Sequence, residues 1–123
     1  MKSKEIKLLE RLEKKGLEGT SIKDLLILNV LVNQPNHRFH QGIVFAVQQL
    51  KHPSSVPYLR QALENGFEMY KYTCSEDTAI TKWFSHALYR IGTDEAIQVI
   101  KDFTVSDNAM IADEMKYRLS KIK

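Results

Sequence analysis

Cysteine is nearly absent from this chain: Cys74 stands alone among 123 residues. One thiol cannot close an internal disulfide, so the fold has to hold without a covalent staple. At this length a single domain buries roughly two thirds of its unfolded surface, which is enough to do so. Long apolar runs are missing too. The longest, Leu25 to Val32, is interrupted by Asn29 and falls far short of the ~20 residues that span a bilayer. The opening "MKSKEIKLLERLEKKG" is basic but has no apolar stretch of the secretory kind. With the lone thiol, this predicts a reducing, cytoplasmic setting. Charge of one sign is not in large excess. There are 18 basic and 15 acidic residues, for a net charge of +3, and the signs alternate through most of the chain. A nucleic-acid binder usually gathers its excess on one face, so bulk charge decides little. No glycine-rich phosphate loop, HExxH motif or spaced carboxylate pair occurs. No cofactor or metal is expected.

Glycine and proline number only five and three, and they fall where they punctuate helices. The apolar spacing predicts seven helices. The first runs from Ser3 to Lys15, with Ile6, Leu9 and Leu12 at steps of three and Gly16 as its stop. The second runs from Ser21 to Asn33, capped by Ser21. Its "LLILNVLV" is apolar on nearly every side and is expected at the centre of the fold. A strand is the competing assignment for that run; the cap and the helical neighbours favour helix. After "NQPN" the third helix covers His37 to Lys51. Ser54 or Ser55 caps the fourth, which carries Pro57 in its first turn and reaches at least Asn65. The fifth spans Asp77 to Ile91, the sixth Asp94 to Thr104 after a cap at Thr93 or Asp94, and the seventh Asn108 to Ile122.

Three of these helices repeat one pattern. Ile43, Val47 and Leu50 align with Phe84, Leu88 and Ile91 at a shift of 41, and these with Met115, Leu119 and Ile122 at a shift of 31. Beyond the corner, Val56 and Leu59 align with Ile97 and Ile100. A lone amphipathic helix cannot bury its apolar stripe. A hairpin covers one side, and the next hairpin covers the other. The two shifts differ by ten residues, all within "NGFEMYKYTCSED", which is either an extension of the fourth helix or an inserted loop.

The stretch "AITKWFSHALYRIGTDEAIQVIKDF…SDNAMIADEMKYRLSKI" resembles the short HEAT-like repeats of the phycobilisome-lyase type, through Ala87, Leu88, Ile91, Gly92, Asp94, Ala96 and Ile97. The resemblance covers about Gly42 to Ile122. The copy ending at Leu50 departs from it, with Lys51-His52-Pro53 in place of the glycine corner. It implies an all-α, α-α superhelix of about seven antiparallel helices, a HEAT-like hairpin stack in one domain, with residues 1–35 as capping helices and 36–123 as repeat hairpins. It also implies binding of proteins, sometimes nucleic acids, on a concave helical face, without implying lyase activity. In size and style the chain is similar to the small immunity proteins that bacteria pair with polymorphic toxins.

With Ile43, Phe84 and Met115 facing the core, the residues two positions on project about 200° away. These are Phe45, His86 and Tyr117. Together with Lys82, Tyr89, Arg90 and Lys121 they form the predicted partner-binding stripe, since aromatic and arginine side chains are what interface hot spots favour. The competing reading packs Phe45 beneath the second helix and leaves His86 as an ordinary solvated residue. The ten-residue excess carries Phe67, Met69, Tyr70, Tyr72 and Cys74. Either it is a recognition loop, which adds Tyr70 and Tyr72 to the contact set, or its large side chains fill core. Trp83 is expected to be half-buried on the flank of the fifth helix. His37 and His40 lie one turn apart, too few ligands for a metal. Cys74 precedes a helix N-terminus, which lowers a thiol pKa, and His86 or His52 is available as base, but no motif links them. A protein partner, such as a toxin, is therefore the leading expectation. Nucleic acid held by Lys82, Arg90, Lys116, Arg118 and Lys121 is the alternative, and a cysteine-dependent enzyme a more distant one.

Overall fold

The computed structural model describes residues 2–122. Among the described residues it contains seven α-helices, two 3-10 segments and no strands. They are α1 (Ser3–Lys15), α2 (Ile22–Leu31), α3 (His40–Leu50), α4 (Val56–Asn65), α5 (Asp77–Ile91), α6 (Asp94–Phe103) and α7 (Ala109–Ser120), with 3-10 turns at Pro53–Ser55 and Glu68–Thr73. "LLILNVLV" is helical, not a strand.

Local chemistry sets most boundaries. Gly16 takes a left-handed φ of 59° and returns its N–H to the Leu12 carbonyl, ending α1. Ser21 Oγ accepts the Asp24 N–H at 3.2 Å, while the Asp24 carboxylate accepts the Ser21 N–H. That backbone bond, followed by Arg11 at 2.7 Å, holds the Asp24 carboxyl below the ordinary carboxylate range. The same ion pair ties α1 to α2. Thr93 and Asn108 cap α6 and α7 with their side chains. Ser55 stands at the N-cap of α4 without a side-chain cap bond, and His52 caps the 3-10 turn ahead of it, its Nδ1 accepting the Ser54 N–H. At the α3 corner Lys51 adopts φ 52°, the left-handed shape that Gly92 takes at the equivalent α5 corner. A side chain in that region costs about 1 kcal/mol that glycine would not. The third helix begins at His40 and not at His37.

α3 packs on α5, and α5 on α7; α2 covers α3, and α4 and α6 pack on α5 and on each other. Ile43, Phe84 and Met115 are fully buried, and each such side chain stabilises the fold by about 1.5–3 kcal/mol. Asn29, the polar break in the apolar run, is buried and spoken for. It donates to Ser54 Oγ at 3.1 Å and accepts from Ser55 Oγ at 2.6 Å, clamping α2 to the Pro53–Ser55 turn.

Two expectations are corrected. α2 is not enclosed: Ile22, Leu26 and Val30, four apart, form an open apolar stripe on its outer side. And the ten-residue excess is neither a continuation of α4 nor an open loop. α4 stops at Gly66, and the chain folds into a 3-10 segment that drives Phe67 and Tyr70 into the core.

Candidate functional site

The predicted stripe divides in two. Tyr70 is 1% exposed. Its ring lies among Phe67, Phe84, Trp83 and His40, and its hydroxyl donates to the Val32 carbonyl at 3.0 Å. It cannot meet a partner and leaves the contact set. Tyr72 is half-buried: its hydroxyl accepts the His40 backbone N–H at 2.9 Å and donates to His40 Nδ1 at 2.7 Å, while the Arg38 guanidinium covers its ring. It braces the start of α3. His37 and His40 stack at 3.9 Å with their ring nitrogens occupied: His37 by the Leu31 carbonyl and the Phe39 N–H, His40 by the Gln34 carbonyl and Tyr72. Burial pushes both imidazoles below their ordinary pKa, His40 to about 4.

Cys74 is exposed, its thiol near the Tyr72 carbonyl at 3.8 Å. His52 is engaged with Ser54, and His86 with Arg118, so neither hydrogen-bonds the thiol. Trp83 is half-buried beside the core, and its carbonyl accepts from Gln48 Nε2 at 2.9 Å.

The remaining stripe residues stay at the surface. Phe45 on α3 is 58% exposed, Tyr89 on α5 42% and Tyr117 on α7 54%; Phe45 does not pack beneath α2. Lys82, His86 and Arg90 of α5 and Lys121 after α7 are exposed around them. Arg90 Nε donates to the Gln48 carbonyl at 3.0 Å, which fixes that guanidinium across the α3–α5 seam.

At the centre is a residue that the stripe did not include. Arg118 is 9% exposed, with its guanidinium 5.5 Å from the ring centres of both Tyr89 and Tyr117. One terminal nitrogen reaches His86 Nε2 at 3.1 Å and Glu114 Oε2 at 3.4 Å, and that carboxylate oxygen also accepts from Ser85 Oγ at 2.7 Å. A guanidinium only donates, so His86 Nε2 is the acceptor and the imidazole is neutral. Burial first, then Arg118, holds its pKa below the ordinary value. Arg118 Nε is buried without a partner. Lys82, His86, Glu114, Tyr117 and Arg118 enclose a shallow depression of about 420 Å³ between α5 and α7. The i,i+4 spacing of Glu114 and Arg118 was a readable signal for this pair. Its burial was not readable, because that depends on α5 lying against α7.

The face can present large aromatic surface within a cationic rim. No protein-family model, curated sequence or solved structure matches this chain.

Proposed function

We propose that the chain is a non-catalytic protein-binding module, a HEAT-like α-α superhelix that engages a partner with the face built by α3, α5 and α7. The observation that carries this reading is the exposure of Phe45, Tyr89 and Tyr117 on three consecutively packed helices. Large aromatic side chains are costly to leave in water, and at interfaces they supply contact area with little loss of rotamer freedom. Arg118 holds Tyr89 and Tyr117 in place through its two ring contacts. The anchors are therefore partly preorganised, which lowers the entropic cost of binding. The immunity-type resemblance sharpens the proposal to an inhibitor that neutralises a cognate toxin in the cytoplasm, where the lone thiol stays reduced.

The nucleic-acid reading is less well supported. Of its five cations, Arg118 is buried against Glu114, and Asp113 and Glu114 lie one turn ahead of Lys116 and Arg118 on α7 and offset their charge. An enzyme acting through Cys74 has no base at hydrogen-bonding distance, and unchanged function after alkylation of the thiol would remove it. The deciding experiment is affinity capture from the native cell with the wild-type chain and with folded Tyr117→Ala and Phe45→Ala variants. A protein that is held by the wild type and lost from both variants is the expected result; retention by both would refute the reading. Capture that is lost on nuclease treatment would instead favour nucleic acid.

A further inference from the structure

Resting on that reading, we infer that the partner's contacting segment is acidic, with an apolar residue beside its carboxylates. Its seat is the depression where the C-terminal ends of α3, α5 and α7 converge. This depression, about 570 Å³, is lined by Lys51, Tyr89, Arg90, Ile97, Lys121 and Ile122. It receives one cation from the end of each helix: Lys51 from the α3 corner, Arg90 from the last turn of α5, and Lys121 from the cap of α7.

A cation at a helix C-terminus is ordinary, because it offsets the partial negative charge there. The amounts differ, however. Three helix ends carry roughly half a charge each, against three full positive charges, leaving an excess of about 1.5. Among the described residues no carboxylate lines the depression or forms an ion pair with Lys51, Arg90 or Lys121. The neighbouring depression between α5 and α7 differs, since Glu114 there already neutralises Arg118. Arg90 is further prepared for a carboxylate. Its Nε is occupied by the Gln48 carbonyl, so the orientation of the guanidinium is fixed while its terminal nitrogens remain to donate. The half-buried Ile97 and Ile122 give the seat an apolar lining. A phosphate track has no use for that, and a peptide with a Leu or Ile beside its Glu residues does. The three cations border one depression, with the Lys121 ammonium also 5.1 Å from the Tyr117 ring centre at its edge.

The test uses the isotopically labelled full chain in NMR titrations at physiological salt with three probes. These are a peptide of alternating Glu and Leu, the same peptide with Gln for Glu, and a uridine oligonucleotide matched in charge to the first. The Glu-Leu peptide is expected to shift the amides of Lys51, Arg90, Ile97 and Lys121. Lys51→Gly is expected to weaken it about five-fold, the effect of losing one partly screened ion pair. That variant removes left-handed strain, so lost binding cannot be ascribed to lost folding. Lys121→Gln gives a second, independent loss of similar size. Equal binding of the Gln peptide, tighter binding of the oligonucleotide, or shifts centred on the lysines of α1 would each overturn the inference. A captured partner separates the two levels. If it is lost on Tyr117→Ala but indifferent to Lys51→Gly and Lys121→Gln, the face binds and the acidic seat is wrong. If it is indifferent to all of these and to Phe45→Ala, the binding face itself is wrong.

Discussion

The molecule contains two clusters made of the same side chains, and they behave oppositely. One, at the start of α3, combines His37, His40, Tyr70, Tyr72 and Arg38. The other, across α5 and α7, combines His86, Tyr89, Tyr117 and Arg118. In the first the core histidines and Tyr70 are buried, and the bonds close into a chain: the His40 N–H reaches the Tyr72 hydroxyl, that hydroxyl reaches His40 Nδ1, and His40 Nε2 reaches the Gln34 carbonyl. In the second the rings face water and the central arginine keeps a buried Nε with no partner. A buried polar group left unpaired costs about 1–3 kcal/mol. The first cluster is thus closed by its own hydrogen bonds, while the second keeps its tyrosine rings open to solvent around a buried arginine.

The contrast breaks most visibly at its tyrosines. Tyr70→Ala is expected to lose about 3–5 kcal/mol, because it empties a fully buried site, whereas Tyr117→Ala should stay within about 0.5 kcal/mol. Urea unfolding of the two variants checks this, and comparable losses would erase the distinction between the clusters.

Acid should strike the first cluster next. His40 has a folded pKa of about 4 against an ordinary 6.5, so the unfolded chain binds the extra proton first. Its contribution is complete above pH 6.5 and is lost as pH falls toward 4, by about 3 kcal/mol in total. His37 shifts in the same direction through burial. Asp24 is held below 3.8, and its contribution is lost only at lower pH. Denaturant unfolding at pH 7 and 4.5 measures the loss. His40→Gln should remove most of the pH dependence, and His86→Gln little of it.

A smaller effect belongs to the second cluster. Glu114→Gln leaves the Arg118 charge buried without its counterion. Breaking such a pair costs about 3–5 kcal/mol when it is deeply enclosed; here the contact is 3.4 Å long, at the edge of a depression, and a loss of about 2 kcal/mol is expected. Thermal unfolding should show it together with altered Tyr89 and Tyr117 ring signals. The smallest change is a gain: Lys51→Gly is expected to stabilise the chain by about 0.5–1 kcal/mol by relieving its positive φ. An equilibrium unfolding curve that moved the other way would mean that the Lys51 side chain contributes more to packing than its exposure suggests.

The helices were legible because their determinants lie within a few residues of each other. Ser21 and Asp24 mark one start, Gly16 and Gly92 mark two ends, and the row Ile43, Phe84, Met115 marks which side turns inward. The apolar spacing starts α3 at His37, three residues ahead of its first helical residue, His40. His37 bonds backward to the Leu31 carbonyl and forward to the Phe39 N–H, so it shapes the turn and does not join the helix. From the sequence Tyr117 follows from the repeat register, whereas Tyr70 stands open between a recognition loop and core filling; the fold makes it core. Nothing near Tyr70 announces that Val32, 38 positions earlier, will accept its hydroxyl.

The sequence alone determined that the chain is helical, where most of its helices stop, and which stripe of α3, α5 and α7 faces the core, because periodicity and capping act over one or two turns. Tertiary structure decided the rest: that Tyr70 is core, that Arg118 lies between two tyrosines, that Ile22, Leu26 and Val30 remain open, and that Lys51, Arg90 and Lys121 share one depression. Each of those facts depends on which helix packs alongside. That is fixed by burying the apolar stripes against one another across dozens of intervening residues, a constraint that no short window of sequence carries.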